Sequence, residues 1–369
     1  DRKLVNQQSG ELGGIVAGDR LTLEVNGLDN HDGVIVSGGD GVMTTGLLDN
    51  TQGQLVSASG SLSLTTGEVN NRQGLIQAGK QLLLDTRGQT LVNRDSGELG
   101  GIRAQGDLSL LSGRLDNHQG IVSAGGQAGL KTVMSDNTAG LITALRGLAI
   151  TGGQLDNTAG SILSGAGLTI DTQGNRLINR DTVSRGGISA AGEVIITTGE
   201  TDNRSGRIVS DGNAVLHTGN LKNSLGLIAG NGGLSVNSGE TDNTGGRLQS
   251  AGDLLINTGT AVLVNTGGRI AGDHHTAVTT SQLTNREGTV QAGERLTLSV
   301  GQALDNGKGA LLSGGRLALS ADRLDNRQGQ VIADGDSQLN VQTVLNNESG
   351  LVHSAGPLEI VASEINNRH

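Results

Sequence analysis

The chain has 369 residues, with 63 Gly, one Pro, no Cys and no Phe, Tyr or Trp. Aromatics supply much of the buried area of a wide globular core, so their absence leaves Leu, Ile, Val, Ala and Met to fill a narrow one. The net charge of −10 argues against a nucleic-acid partner, the absence of Cys excludes disulfides and thiolate metal sites, and no apolar run is long enough to span a membrane.

The first residues, 1–10, carry no apolar signal-peptide stretch. From Asn6 onward one Asn recurs at positions 6, 30, 50, 71, 93, 117, 137, 157, 179, 203, 223, 243, 265, 285, 306, 326, 347 and 367, which is 18 copies. Calling it position n, the unit reads L-D-N-x-x-G-x-I-x-S/A, a Gly turn, then L-x-L-x-T-G. The coil from Leu155 shows it clearly, with Asn157, Gly160, Ile162, Ser164, Leu168, Ile170 and Thr172 at odd offsets. Strict alternation is the mark of half-buried strands, and no helical spacing competes with it.

The spacing is 20–22 residues except in three units of 24, where four residues are inserted after Asn6, Asn93 and Asn179. Units of 22 add two residues before Asn93, Asn179 and Asn265. A cycle of four coils therefore repeats about every 86 residues, with super-repeats near 6–92, 93–178 and 179–264; after Asn265 the insertion is missing. Insertions at a fixed place in a repeat map to loops on one face.

A unit of 20 residues cannot bury a core alone but can form one turn of a solenoid. The expected fold is all-β: a parallel β-helix of about 18 coils of 20–24 residues, running as a single continuous domain over 1–369, with two or three strands per coil. Stacked at roughly 4.8 Å per coil, it would be a rod of roughly 85 Å. The recurrent Asn shares the parity of the inward apolar residues. That predicts a buried ladder of side-chain amides through Asn50, Asn71, Asn93, Asn117, Asn137, Asn157, Asn179, Asn203, Asn223 and Asn243. The competing reading is an Asn that caps a turn and faces solvent. Gly at n+3, as at Gly53, Gly120, Gly140 and Gly329, supplies either a positive φ or room at a corner.

This unit, repeated over essentially the whole chain, resembles the haemagglutinin repeat of filamentous-haemagglutinin-type large exoproteins, which include adhesins and contact-dependent growth-inhibition effectors. The resemblance implies a right-handed β-helix, export by two-partner secretion through an outer-membrane transporter, and display on the bacterial surface, with a cell-surface receptor as a further partner. The family's secretion domain and its C-terminal toxin or processing domains have no counterpart here, so the chain is expected to be a piece of a much larger protein.

Chemical candidates are few. Asp precedes the recurrent Asn at 29, 49, 116, 136, 156, 202, 242, 305 and 325, and Arg follows it at 72, 94, 180, 204, 286, 327 and 368. The row could be a weak calcium stripe or an acid pair; the plainer reading is a solvated face that the Arg residues partly neutralise. Gly38–Gly41 and Asp334–Asp336 read as isolated turn fragments, and His274–His275 as an exposed loop whose adjacent imidazoles point apart. Gly230–Gly233 lacks the Lys and helix of a phosphate loop, and no nucleophile elbow stands out. No catalytic, metal or cofactor residues are expected. Three functions compete: a passive stem, a stem adhesive in its own right through the inserted loops 94–101 and 180–187, and a polysaccharide-active β-helix enzyme, against which the lack of aromatic sugar platforms counts most.

Overall fold

The computed structural model describes residues 2–10, 13–182 and 186–368, and among them every regular element is a strand. None of these residues forms a helix long and apolar enough to cross a membrane. The chain is a parallel β-solenoid whose contacts divide into two compact units. Unit 1 is Asp1–Ile178 with Arg185–Ala190, and unit 2 is Asn179–Ser184 with Ala191–His369.

In unit 1 each coil carries three strands, such as Ser161–Ser164, Leu168–Asp171 and Arg176–Ile178. In three consecutive coils the second and third fuse into one nine-residue strand, Leu108–Asp116, Ala128–Asp136 and Leu148–Asp156. Among the described residues of this unit the strands pair in parallel, coil on coil. The first-strand column runs Ile35, Leu55, Ile76, Ile102, Val122, Ile142, Ile162, Ile188, each in register with the next. All of these side chains are fully buried. A fully buried aliphatic of this kind contributes about 1.5–3 kcal/mol. Unit 2 repeats the scheme, its column running Ile208, Ile228, Leu248, Ile270, Val290, Leu311, Val331 and Val352. Stacking like on like lets a core without aromatics close, because each Leu or Ile meets a neighbour of its own shape.

The corner after each Asn explains the Gly at n+3. A positive φ is needed one residue earlier, at n+2, where Gln52, Ala159 and Leu225 take φ of 54°, 52° and 58°. The Gly serves for room: a Cβ at Gly140 would stand 2.2 Å from the Asn117 carbonyl oxygen, and one at Gly120 would stand 1.9 Å from that of Asn93. The corner closes only if the backbone of one coil lies directly on the backbone of the coil before it.

Gly120→Ala should therefore destabilise unit 1 by about 2–4 kcal/mol, since backbone cannot yield as a side chain can. Gly129→Ala, at a strand position where a Cβ meets nothing within 4 Å, should be close to neutral. Urea denaturation midpoints of the two variants check the difference.

Candidate functional site

The most regular polar feature is the amide column at position n. In unit 1, Asn30 Nδ2 donates to Asn50 Oδ1, Asn50 to Asn71, Asn117 to Asn137 and Asn137 to Asn157, each at 2.7 Å, with Asn71 to Asn93 at 2.8 Å and Asn93 to Asn117 at 2.7 Å. In unit 2, Asn179 donates to Asn203, Asn203 to Asn223, Asn223 to Asn243 and Asn243 to Asn265, again at 2.7 Å. All ten of Asn50, Asn71, Asn93, Asn117, Asn137, Asn157, Asn179, Asn203, Asn223 and Asn243 are fully buried. In a regular coil Nδ2 also faces two backbone carbonyls. Asn137 Nδ2 lies 3.3 Å from the oxygen of Gly140 in its own coil and 3.2 Å from that of Ser161 in the next. Three oxygens around one nitrogen fix which end of the amide is the donor. Each of these bonds points the same way, from an earlier coil to a later one.

The three 24-residue coils depart at one point that the spacing alone did not reveal. Their inserted residues carry the chain away before it can place a Gly at n+3, where Ser9, Ser96 and Thr182 stand instead. In regular coils the n+3 carbonyl accepts from the next coil's first strand, as Gly33 O does from Gln54 N at 2.8 Å. In the inserted coils a hydroxyl takes over: Val34 N donates to Ser9 Oγ at 2.8 Å, Ile121 N to Ser96 Oγ at 3.1 Å and Arg207 N to Thr182 Oγ1 at 2.9 Å. A hydroxyl residue at n+3 in these three coils alone was the available sequence signal.

The inserted loop 94–101 is braced from several sides. Arg94 pairs with Asp116 at 3.2 Å and Arg72 with Asp95 at 3.1 Å. Arg103 donates from Nη2 to the Glu98 carbonyl at 2.6 Å and from Nε to that of Gly100 at 2.8 Å. At its tip Leu99 is 88% exposed. In the second loop, 180–187, residues 183–185 lie outside the described residues.

The Asp row is less solvated than its outward parity suggests. Asp116 and Asp202 are buried and the others are half-buried. Two local bonds draw them in. Oδ1 accepts from the backbone N–H two residues on, at 3.0 Å for Asp49 and 2.9 Å for Asp156. Arg residues close over several of them, and Asp202 has two: Arg204 grips it with two bonds of 2.9 Å, and Arg180 reaches it from the preceding coil. Burial alone would push the Asp202 carboxyl up; the hydrogen bonds from Arg204 and Arg180, with their charges, outweigh it and hold the group well below the usual carboxylate range. Among the described residues no three His, Cys, Asp or Glu side chains gather to hold a metal. His275 begins the strand His275–Thr280, so it is not in a loop, and it approaches Glu294 at 3.7 Å.

An amide ladder with a self-stacking apolar core defines the class: a structural repeat protein of the parallel β-solenoid kind. The haemagglutinin repeat family matches residues 5–52, 41–95, 86–133, 127–175, 178–224, 218–272 and 263–368, and the chain belongs to that family. It is also similar to a tRNA nuclease CdiA of Yersinia mollaretii, 35% identical over 91 residues, which is 24% of this chain and 3% of that protein. The chain thus spans a small part of that relative's length. No solved structure matches it.

Two outcomes are expected of this geometry. Asn137→Ala leaves the Asn117 Nδ2 and Asn157 Oδ1 atoms short of a partner inside the core, so it should cost about 2–5 kcal/mol by denaturant unfolding. Asp202 has its folded pKa depressed, so the stability it contributes is present above the ordinary carboxylate pKa of about 3.9. That contribution is lost as pH falls from there through the lower folded value. In thermal melts, Asp202→Asn should flatten the acid loss of stability below about pH 4 relative to the wild type.

Proposed function

We propose that this chain is a segment of the stem of a secreted bacterial surface exoprotein, exported by two-partner secretion through an outer-membrane transporter. The stem holds a distal binding or toxin module away from the cell. The observation that carries this reading is the haemagglutinin repeat matched from one end of the chain to the other, each coil built to stack on the next by a buried amide and an apolar column. The similarity to a CdiA protein supports a role in adhesion or contact-dependent inhibition, with any nuclease chemistry residing elsewhere in such a protein. We further propose that the amide column is the structural element that sets the register of the stem.

A second reading, a stem that is itself adhesive, is favoured by one observation. The loop 94–101 holds an exposed Leu99 on a rigidly braced backbone, as a recognition element would.

The test is binding of the purified chain to whole bacterial and host cells, beside a variant in which 94–101 and 180–187 are cut back to the 20-residue pattern. No binding by either is the result expected of a stem. Binding that disappears on shortening would make the loops adhesive, and binding that survives it would place adhesion on the shaft.

A further inference from the structure

Two features of unit 1 lack partners and complement one another. The first is the tip of the loop 94–101. Leu99 is 88% exposed, and Glu98 beside it is exposed with no cation in ion-pair reach among the described residues. The tip is nonetheless held still by Arg103, by the bond from Gly100 N to Ser96 O at 3.1 Å, and by the two ion pairs at its base. An apolar side chain kept in water on a preorganised backbone has little ordering entropy left to lose on docking.

The second is a hollow of about 410 Å³ between two projecting turns. The turns belong to the 22-residue coils, at Asp85–Gln89 and Asp171–Asn175; in the three coils between them the second and third strands fuse and no turn stands out. The resulting saddle is floored by Leu111, Lys131 and Val133 together with Gly152 and Gly153. Val133 is 74% exposed and occupies the place that Gly113 and Gly153 hold in the neighbouring coils. Lys131 is exposed at the middle of the column Asp85, Leu111, Lys131, Thr151, Asp171, and no carboxylate comes within ion-pair reach of it among the described residues. Asp85 and Asp171 stand two coils away on either side, ~10 Å off, and each caps its own turn through Oδ1.

We propose that the loop tip of one copy of this chain docks into the saddle of a second copy, Leu99 entering between Leu111 and Val133 while the Glu98 carboxylate meets the Lys131 ammonium. The acidic walls leave the middle of the saddle as the place where an anion is favoured, so the charge selects the position as the apolar surface supplies the attraction. Loop and saddle lie at different corners of the coil, so each copy brings both a loop to donate and a saddle to receive one.

Sedimentation equilibrium of the full chain at low salt over a range of concentrations tests this, independently of whether the chain binds cells. The wild type should associate reversibly, and Leu99→Ser should weaken the association about tenfold, the scale of one aliphatic side chain withdrawn from water. Glu98→Lys and Lys131→Glu should each weaken it, and the double charge swap should restore it. All three residues are exposed, so circular dichroism should show each variant folded. A wild type that stays monomeric, an association indifferent to Leu99→Ser, or a double swap no stronger than the singles would overturn the proposal.

Discussion

A buried amide nitrogen that has to find acceptors is the constraint on which the rest of the solenoid depends. Asn137 Nδ2 is sealed from water and faces the amide oxygen of the next coil, the Gly140 carbonyl of its own coil and the Ser161 carbonyl of the next. Satisfying all three fixes the height of one coil above another, the path of the corner and the start of the first strand. The Gly at n+3 is a consequence, because the corner that brings its carbonyl to the amide leaves no space for a Cβ. So is the strained φ at n+2, which even Leu225 adopts at 58°. The apolar columns supply most of the stabilisation and exclude a one-residue slip, which would turn each strand's apolar residues outward, while tolerating exchange among Leu, Ile and Val.

Departures from the pattern are tolerated where that requirement is met by other means. In the 24-residue coils the chain leaves the corner early, and a hydroxyl at n+3 accepts the strand N–H that a Gly carbonyl accepts elsewhere. The amide keeps its forward bond and its bond to the next coil, as Asn93 does with Asn117 and Ile121 at 2.7 and 2.9 Å. Beyond the hydroxyl the loop returns through glycines of positive φ, Gly14, Gly101 and Gly186, and the 94–101 loop is held in one shape by Arg103 and two ion pairs. The same economy shapes the Asp row, where a carboxylate that first closes its own turn is then available to the Arg of the preceding coil.

Much of this was legible in the residues. Alternation gave the strands, the recurrence of Asn gave the coils, and equal spacing along the chain gave parallel pairing in register. Other features depend on contacts between coils that no single repeat displays. The Gly at n+3 left positive φ and room equally open until the carbonyl of the preceding Asn was seen beneath it. The burial of Asp202 was hidden because its two Arg partners come from different coils. The saddle was invisible for a related reason: it is made by the absence of a turn in three consecutive coils between two that have one.

The one-way direction of the amide bonds has a consequence for how such a chain can change in length. Each coil offers a donor toward its successor and an acceptor toward its predecessor, so any two whole coils present matching faces to each other. Loss or duplication of a complete unit rejoins the ladder without a gap. Removal of part of a unit moves an apolar residue onto the amide column or flips a strand to the wrong face. Length is thus a quantity that changes in steps of one coil, and unequal exchange between repeats becomes a safe way to alter it.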